Sequence, residues 1–209
     1  MNMYESTIQA IRQNRIVIIY RGLSPEKCLE VSKILYEAGI RLFEVTMNSE
    51  KTEESIKLLS TKMPADTFIG AGTVTEVQQV ELAHEAGATY IISPNTNTDV
   101  IKRTKELGMV SAPGAMTPTE VELASKAGGD IIKIFPINVL GAKYITQLKG
   151  PLDKIEFMPS GGLTFETVQQ LFGIGCTAMG LGVQLLGENL IENENWDELK
   201  KQAKKFLNA

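Results

Sequence analysis

Short apolar, β-rich runs alternate along the chain with stretches whose apolar residues recur at i, i+3, i+4 and i+7. The runs predict strands over residues 16–20, 42–46, 68–71, 90–93, 109–112, 131–135, 156–159 and 178–180. They start about 19–26 residues apart, the length of one βα unit. Segments such as CLEVSKILYEAG and VELASKAG supply the helical pattern between them. Ser24-Pro25 and Thr117-Pro118 place a capping residue before a proline at the first helical position. Thr117 with Glu120, and Thr75 with Gln78, have capping-box spacing. Gly39, Gly87, Gly108 and Gly128 each close a helical run before the next strand. Eight such units predict an α/β chain: one (β/α)8 barrel domain over residues 1–209, with a short N-terminal helix left over. A doubly wound open sheet is the structural alternative, but no GxGxxG follows the first strand.

Two residues break the pattern. Lys133 interrupts Ile131-Ile132-Lys133-Ile134-Phe135, and Glu44 interrupts Leu42-Phe43-Glu44-Val45. An apolar run of this kind belongs to a strand buried on both faces, and burial disfavours a charged ammonium. A neutral lysine amine is a nucleophile suited to a Schiff base with a carbonyl substrate. The plainer reading is a lysine whose head escapes at the strand end. Both residues lie near the C-terminal ends of their strands, where a parallel barrel keeps its active site. Glu44 then suits proton transfer during imine chemistry, and a structural ion pair with Lys133 is the competing explanation. Gly161-Gly162 after the seventh strand, and Gly180-Leu181-Gly182 before a short helix starting at Val183, offer backbone N–H groups to an anion.

Charge and composition narrow the choice. The 209 residues carry a net charge of -4, with no basic footprint for nucleic acid or an anionic membrane. No apolar stretch approaches the ~20 residues of a membrane span, and MNMYESTIQAIRQNR lacks a leader-like apolar core. Cys28 and Cys176 have no metal or redox spacing, so free thiols and a cytoplasmic location are expected. The single histidine, His84, falls in a helical stretch away from every strand end, and a metal site is not expected. Trp196 is expected to pack the terminal helix on the barrel.

Six motifs, in order, carry a resemblance. They are EVT at residues 44–46, GAGTV at 70–74, ISPN at 92–95, APGAMTPTE at 112–120, KIFP at 133–136 and SGG at 160–162. Together they resemble the 2-keto-3-deoxy-6-phosphogluconate / 4-hydroxy-2-oxoglutarate aldolases, a family of class I aldolases. The resemblance implies a (β/α)8 barrel, usually a homotrimer, that needs no cofactor. It implies cleavage of a small-molecule 2-keto-4-hydroxy acid to pyruvate plus glyceraldehyde 3-phosphate or glyoxylate. Lys133 would be the Schiff-base residue and Glu44 the acid/base, with Gly72, Thr73, Pro94 and Phe135 around the pyruvate half. Asn48 stands where gluconate-type enzymes have arginine. With Arg21 after the first strand, this is similar to the galactonate-specific branch. The family's phosphate loop often has serine where this chain has Val183, which leaves the backbone at Gly161, Gly162, Gly182 and Val183, and the Arg21 side chain, to hold a phosphate. The other readings are a phosphosugar-binding barrel and a barrel isomerase, neither with imine chemistry.

Overall fold

The computed structural model describes residues 2–187 and 189–209. Its strands are β1 Ile16–Tyr20, β2 Leu42–Thr46, β3 Phe68–Gly72, β4 Tyr90–Ile92, β5 Val110–Ala112, β6 Gly114–Ala115, β7 Ile132–Ile134, β8 Phe157–Pro159 and β9 Met179–Gly182. Every pairing between them is parallel. The order is β5-β4-β3-β2-β1-β9 in a six-stranded sheet and β6-β7-β8 in a three-stranded one. The predicted fifth strand, 109–112, is β5, and β6 is a further short strand that the sequence pattern does not predict. Pro113 separates them, and a proline cannot donate to the ladder. The sheets are also linked at the other side, where Ser160 bridges to Gly180 in parallel.

The helices are α1 Met3–Asn14, α2 Pro25–Ala38, α3 Thr52–Lys62, α4 Val77–Glu85, α5 Thr98–Glu106, α6 Pro118–Lys126, α7 Ile137–Leu140, α8 Ala142–Lys149, α9 Phe165–Gly173 and α10 Trp196–Leu207, with a 3₁₀ turn over Val183–Leu186. Ser24 and Thr117 cap α2 and α6 as expected, Thr117 in a full capping box with Glu120. Gly39 ends α2 in the left-handed region, at φ 116°. The expected Thr75–Gln78 box is not formed. Helix α4 starts at Val77, so its cap is Glu76 and its third residue, Gln79, folds back to the cap.

Strand alternation separates two apolar clusters. Val17, Leu42, Tyr90, Ile92, Val110, Ala112, Ile131, Met158 and Ala178 form one, together with Ile8, Ala10 and Ile11 of α1. That cluster draws on both sheets, so they curl around a shared interior, and α1 packs against one end of it. The opposite strand faces, including Ile18, Phe43, Ile69, Ile91 and Ile134, pack against the helices in the larger cluster. Trp196 is partly buried against that cluster, and His84 is exposed on α4. No described helix is long and apolar enough to cross a membrane.

Candidate active site

A cavity of about 590 Å³ opens at the C-terminal ends of the strands. Its walls include Ile19, Arg21, Glu44, Lys133, Phe135, Ser160, Gly161, Gly162, Gly182 and Gln184. Lys133 comes from the middle of β7, beside Gly114 of β6 and Met158 of β8, and is 6% exposed. Glu44 comes from β2 and is 1% exposed. Neither head therefore escapes to solvent as a snorkelling side chain would. Both residues share the interior parity of their strands, and Phe135 follows Lys133 onto the same face, its ring centroid 4.9 Å from Nζ.

Burial sets the electrostatics. It pushes the Lys133 ammonium below the usual lysine value; the Glu44 charge opposes that shift and the Arg21 charge adds to it. Burial likewise pushes the Glu44 carboxyl upward, against the pull of Lys133 and Arg21. The two groups are not within 4.0 Å of each other, and Glu44 Oε2 is buried without a hydrogen-bond partner among the described residues. A structural ion pair would have closed that gap. What remains is a base and an acid facing a common space, each destabilised in its charged form.

The third strand makes room for this. A Cβ on Gly72 would overlap Glu44 Oε1, so the carboxylate occupies the place of a β3 side chain. Two residues back on the same face, a Cβ on Gly70 would overlap the ring of Tyr90. That ring crosses from β4 over β3, and its hydroxyl donates to the Phe43 carbonyl of β2 at 2.7 Å.

Arg21, just past β1, lies on the cavity wall. Its guanidinium donates to Asn48 Oδ1 at 2.6 Å and to Thr73 Oγ1 at 3.3 Å. Thr73 has φ 56°, a conformation a β-branched residue adopts only under constraint. The loops after β1 and β2 are further tied by Gly22 N–H donating to Ser49 Oγ. Asn48, Gly72, Thr73 and Pro94 are not among the residues lining this cavity; Asn48 is exposed and borders a second cavity with Gly22 and Ser49. Pro94 abuts Gly114, whose Cβ would overlap the Pro94 backbone, and Gly114 pairs with Lys133.

The far end of the cavity is glycine-rich. Gly161 and Gly162 have φ 92° and 63°, and a Cβ there would press Phe135 at 2.9 Å and Asn138 at 2.5 Å. Gly182 also lines the cavity, but the Val183 side chain does not, being fully buried in the core. At that position only the backbone is left to meet a ligand. Ile19, Ser160 and Gln184 are among the cavity residues outside the expected site set. The first two share the interior parity that the structure reveals, since Ile19 follows Val17 and Ser160 follows Met158 by two. Gln184 lies beyond the strand, where period two no longer applies.

Both cysteines are buried and unpaired, and burial pushes each thiol up to about 12, away from a reactive thiolate. The described residues contain no group of three or more His, Cys, Asp or Glu side chains placed to hold a metal ion.

Residues 7–202 match the family model described as KDPG and KHG aldolase. The 2-dehydro-3-deoxy-6-phosphogalactonate aldolase of Escherichia coli (strain K12) is 35% identical over 195 residues, covering 93% of each protein. The 2-dehydro-3-deoxy-phosphogluconate aldolase of Haemophilus influenzae is 28% identical over 204 residues, covering 97% of this chain and 96% of that one. A solved structure described as native KDPGal superposes with a TM-score of 0.84 at 32% identity, over 92% of each chain. A family match across this much of the sequence, on a parallel α/β fold whose cavity buries a lysine and a glutamate at the strand ends, has one conclusion: the chain belongs to the KDPG and KHG aldolase family and is a carbon–carbon lyase.

Proposed function

We propose that Lys133 is the Schiff-base lysine and Glu44 the proton carrier of this aldolase, at the top of a single (β/α)8 barrel. The observation that carries the reading is a lysine and a glutamate, 6% and 1% exposed, facing one cavity without pairing. Neutral Lys133 Nζ adds to the C2 carbonyl of a 2-keto-4-hydroxy acid, and loss of water leaves an iminium. Glu44 removes the C4 hydroxyl proton, the C3–C4 bond breaks, and its electron pair moves into the iminium to give an enamine and an aldehyde. The same proton returns to C3, and hydrolysis of the imine releases pyruvate and restores the lysine. The imine is the electron sink, so the reaction asks for no metal or organic cofactor.

The substrate lies with its keto-acid end toward Thr73, Pro94 and Phe135. Arg21 is bonded to Thr73 and Asn48 on that side, so its guanidinium suits the C1 carboxylate better than a distal phosphate. Asn48 then acts first as the acceptor that aims Arg21, with its amide N–H free for a substrate hydroxyl. A terminal phosphate would meet the backbone at Gly161, Gly162, Gly182 and Val183. A 2-keto-3-deoxy-6-phospho sugar acid of galactonate or gluconate type is the expected substrate, with 4-hydroxy-2-oxoglutarate as a shorter one. A cytoplasmic homotrimer is the expected form, checked by light scattering on purified protein.

The deciding experiment is pyruvate plus borohydride followed by peptide mass mapping. One reduced pyruvate adduct on the Lys133 peptide is expected. No adduct, or an adduct on Lys143 or Lys149, overturns the assignment.

A further inference from the structure

The two ends of the cavity differ in what can recognise a ligand. Its charged wall residues among the described ones are Arg21, Glu44 and Lys133, and the reading above turns all three toward the keto-acid group. The wall residues after β8 and β9, Gly161, Gly162, Leu163, Gly182, Gln184 and Leu185, include no charged side chain among the described residues. Ser160 stands between the two ends, but its hydroxyl is already donating to the Gly180 carbonyl at 3.0 Å. Val183 is turned into the core. Gln184 is therefore the polar side chain that the described residues of the far end place on the cavity wall. Its Oε1 lies over Gly182, where a Cβ would meet it at 3.2 Å. Its carboxamide makes no hydrogen bond to the described residues, and the residue is exposed at the rim.

We infer that Gln184 is a specificity-determining residue, one that reads the end of the substrate remote from the imine. The inference rests on the aldolase reading above and deepens it. A carboxamide has two N–H donors and a carbonyl acceptor, so it can donate to a phosphate oxygen and both donate to and accept from a hydroxyl. Being neutral, it adds no preference for a dianion over an alcohol. It supplies from the rim the side-chain contact that Val183, buried, cannot. Substrates long enough to reach Gly182 are the ones it serves: the six-carbon 2-keto-3-deoxy acids, with or without a terminal phosphate, rather than five-carbon 4-hydroxy-2-oxoglutarate.

The test uses the full chain and three substrates: a phosphorylated six-carbon keto acid, its unphosphorylated counterpart and 4-hydroxy-2-oxoglutarate. Gln184→Ala is expected to raise KM for both six-carbon acids about three- to tenfold, and by less for the five-carbon acid, because one neutral hydrogen bond is lost. Gln184→Glu keeps the shape but adds a negative charge beside any terminal phosphate. It should lower kcat/KM for the phosphorylated acid at least about tenfold more than for the unphosphorylated one. Both changes lie on the rim and leave the core untouched. If the Ala variant leaves six-carbon KM values unchanged, or raises all three alike, Gln184 does not read the tail. A Glu variant that penalises phosphorylated and unphosphorylated acids equally also overturns the inference. Failure of pyruvate trapping in the unaltered protein would instead remove the aldolase assignment itself, so the two outcomes cannot be confused.

Discussion

The two ends of the cavity are made from different materials. At the keto-acid end, β1, β2 and β7 deliver three ionisable side chains, two of them buried where their charged forms are disfavoured. At the far end, the segments at β8 and β9 deliver glycines, and the proposed recognition falls to backbone N–H groups and one neutral amide. Bond breaking needs groups whose protonation can change, and burial tunes them for it. Holding a polar tail needs only fixed dipoles, which the backbone provides without any titration. The keto-acid end should therefore fail abruptly when altered, and the glycine end by degrees.

Lys133→Met should have the largest effect, because no other lysine among the described residues lies on the cavity wall. Aldol cleavage and pyruvate trapping are both expected to drop below detection in a protein whose circular dichroism is unchanged. Turnover by a folded Met variant would move the nucleophile elsewhere.

Next comes Gly72→Ala, a change of one methyl group. The new Cβ would overlap the Glu44 carboxylate and displace it. Its loss should approach that of Glu44→Gln, about 10²–10⁴-fold in kcat. Normal kcat in Gly72→Ala would mean that the carboxylate has room to work elsewhere.

Arg21→Ala should raise KM for every keto acid, pyruvate in the trapping reaction included, by about 10–100-fold for a lost charge-assisted bond. An increase confined to phosphorylated substrates would instead move Arg21 to the far end and dissolve the contrast between the two regions.

The pH dependence of trapping gives a finer test. Imine formation needs neutral Lys133, so the initial rate with cyanoborohydride should climb with pH through a midpoint below the ordinary lysine value of 10.5. Glu44 raises the lysine pKa, so Glu44→Gln should move that midpoint lower still. A shift upward would contradict the sign of the coupling. The smallest effect is expected from Asn48→Ala, a few-fold rise in KM as Arg21 loses its neutral acceptor.

The sequence made the keto-acid end legible because charges inside apolar runs are conspicuous. Lys133 and Glu44 stand out against isoleucine, leucine and valine, and strand periodicity put each at the catalytic end. Helix starts were equally readable at Ser24 and Thr117, where cap and proline coincide. Other features depended on three-dimensional neighbours. A strand apolar on both faces hides its parity, so Ile19 looks like Ile18 until the interior cluster is seen. Val183 is expected to offer its backbone alone, and the 3₁₀ turn buries its side chain in the core while Gln184, which no sequence signal marks, lines the cavity. Gly72 is expected around the pyruvate half of the site, but only the neighbouring strand shows that it leaves space for the Glu44 carboxylate.

That vacancy is doubled along β3, where Gly70 yields to Tyr90 as Gly72 yields to Glu44. The strand lends its interior face to its neighbours, and this sets different rules of inheritance for the two positions. At 70 a larger residue is admissible once position 90 becomes smaller, so these two sites can drift as a pair, exchanging bulk between strands. At 72 no such exchange exists, because the group that would have to shrink is the carboxylate proposed to move the proton. A lineage of active enzymes should therefore show covariation between 70 and 90, and a glycine at 72 that stays fixed while the residues around it turn over.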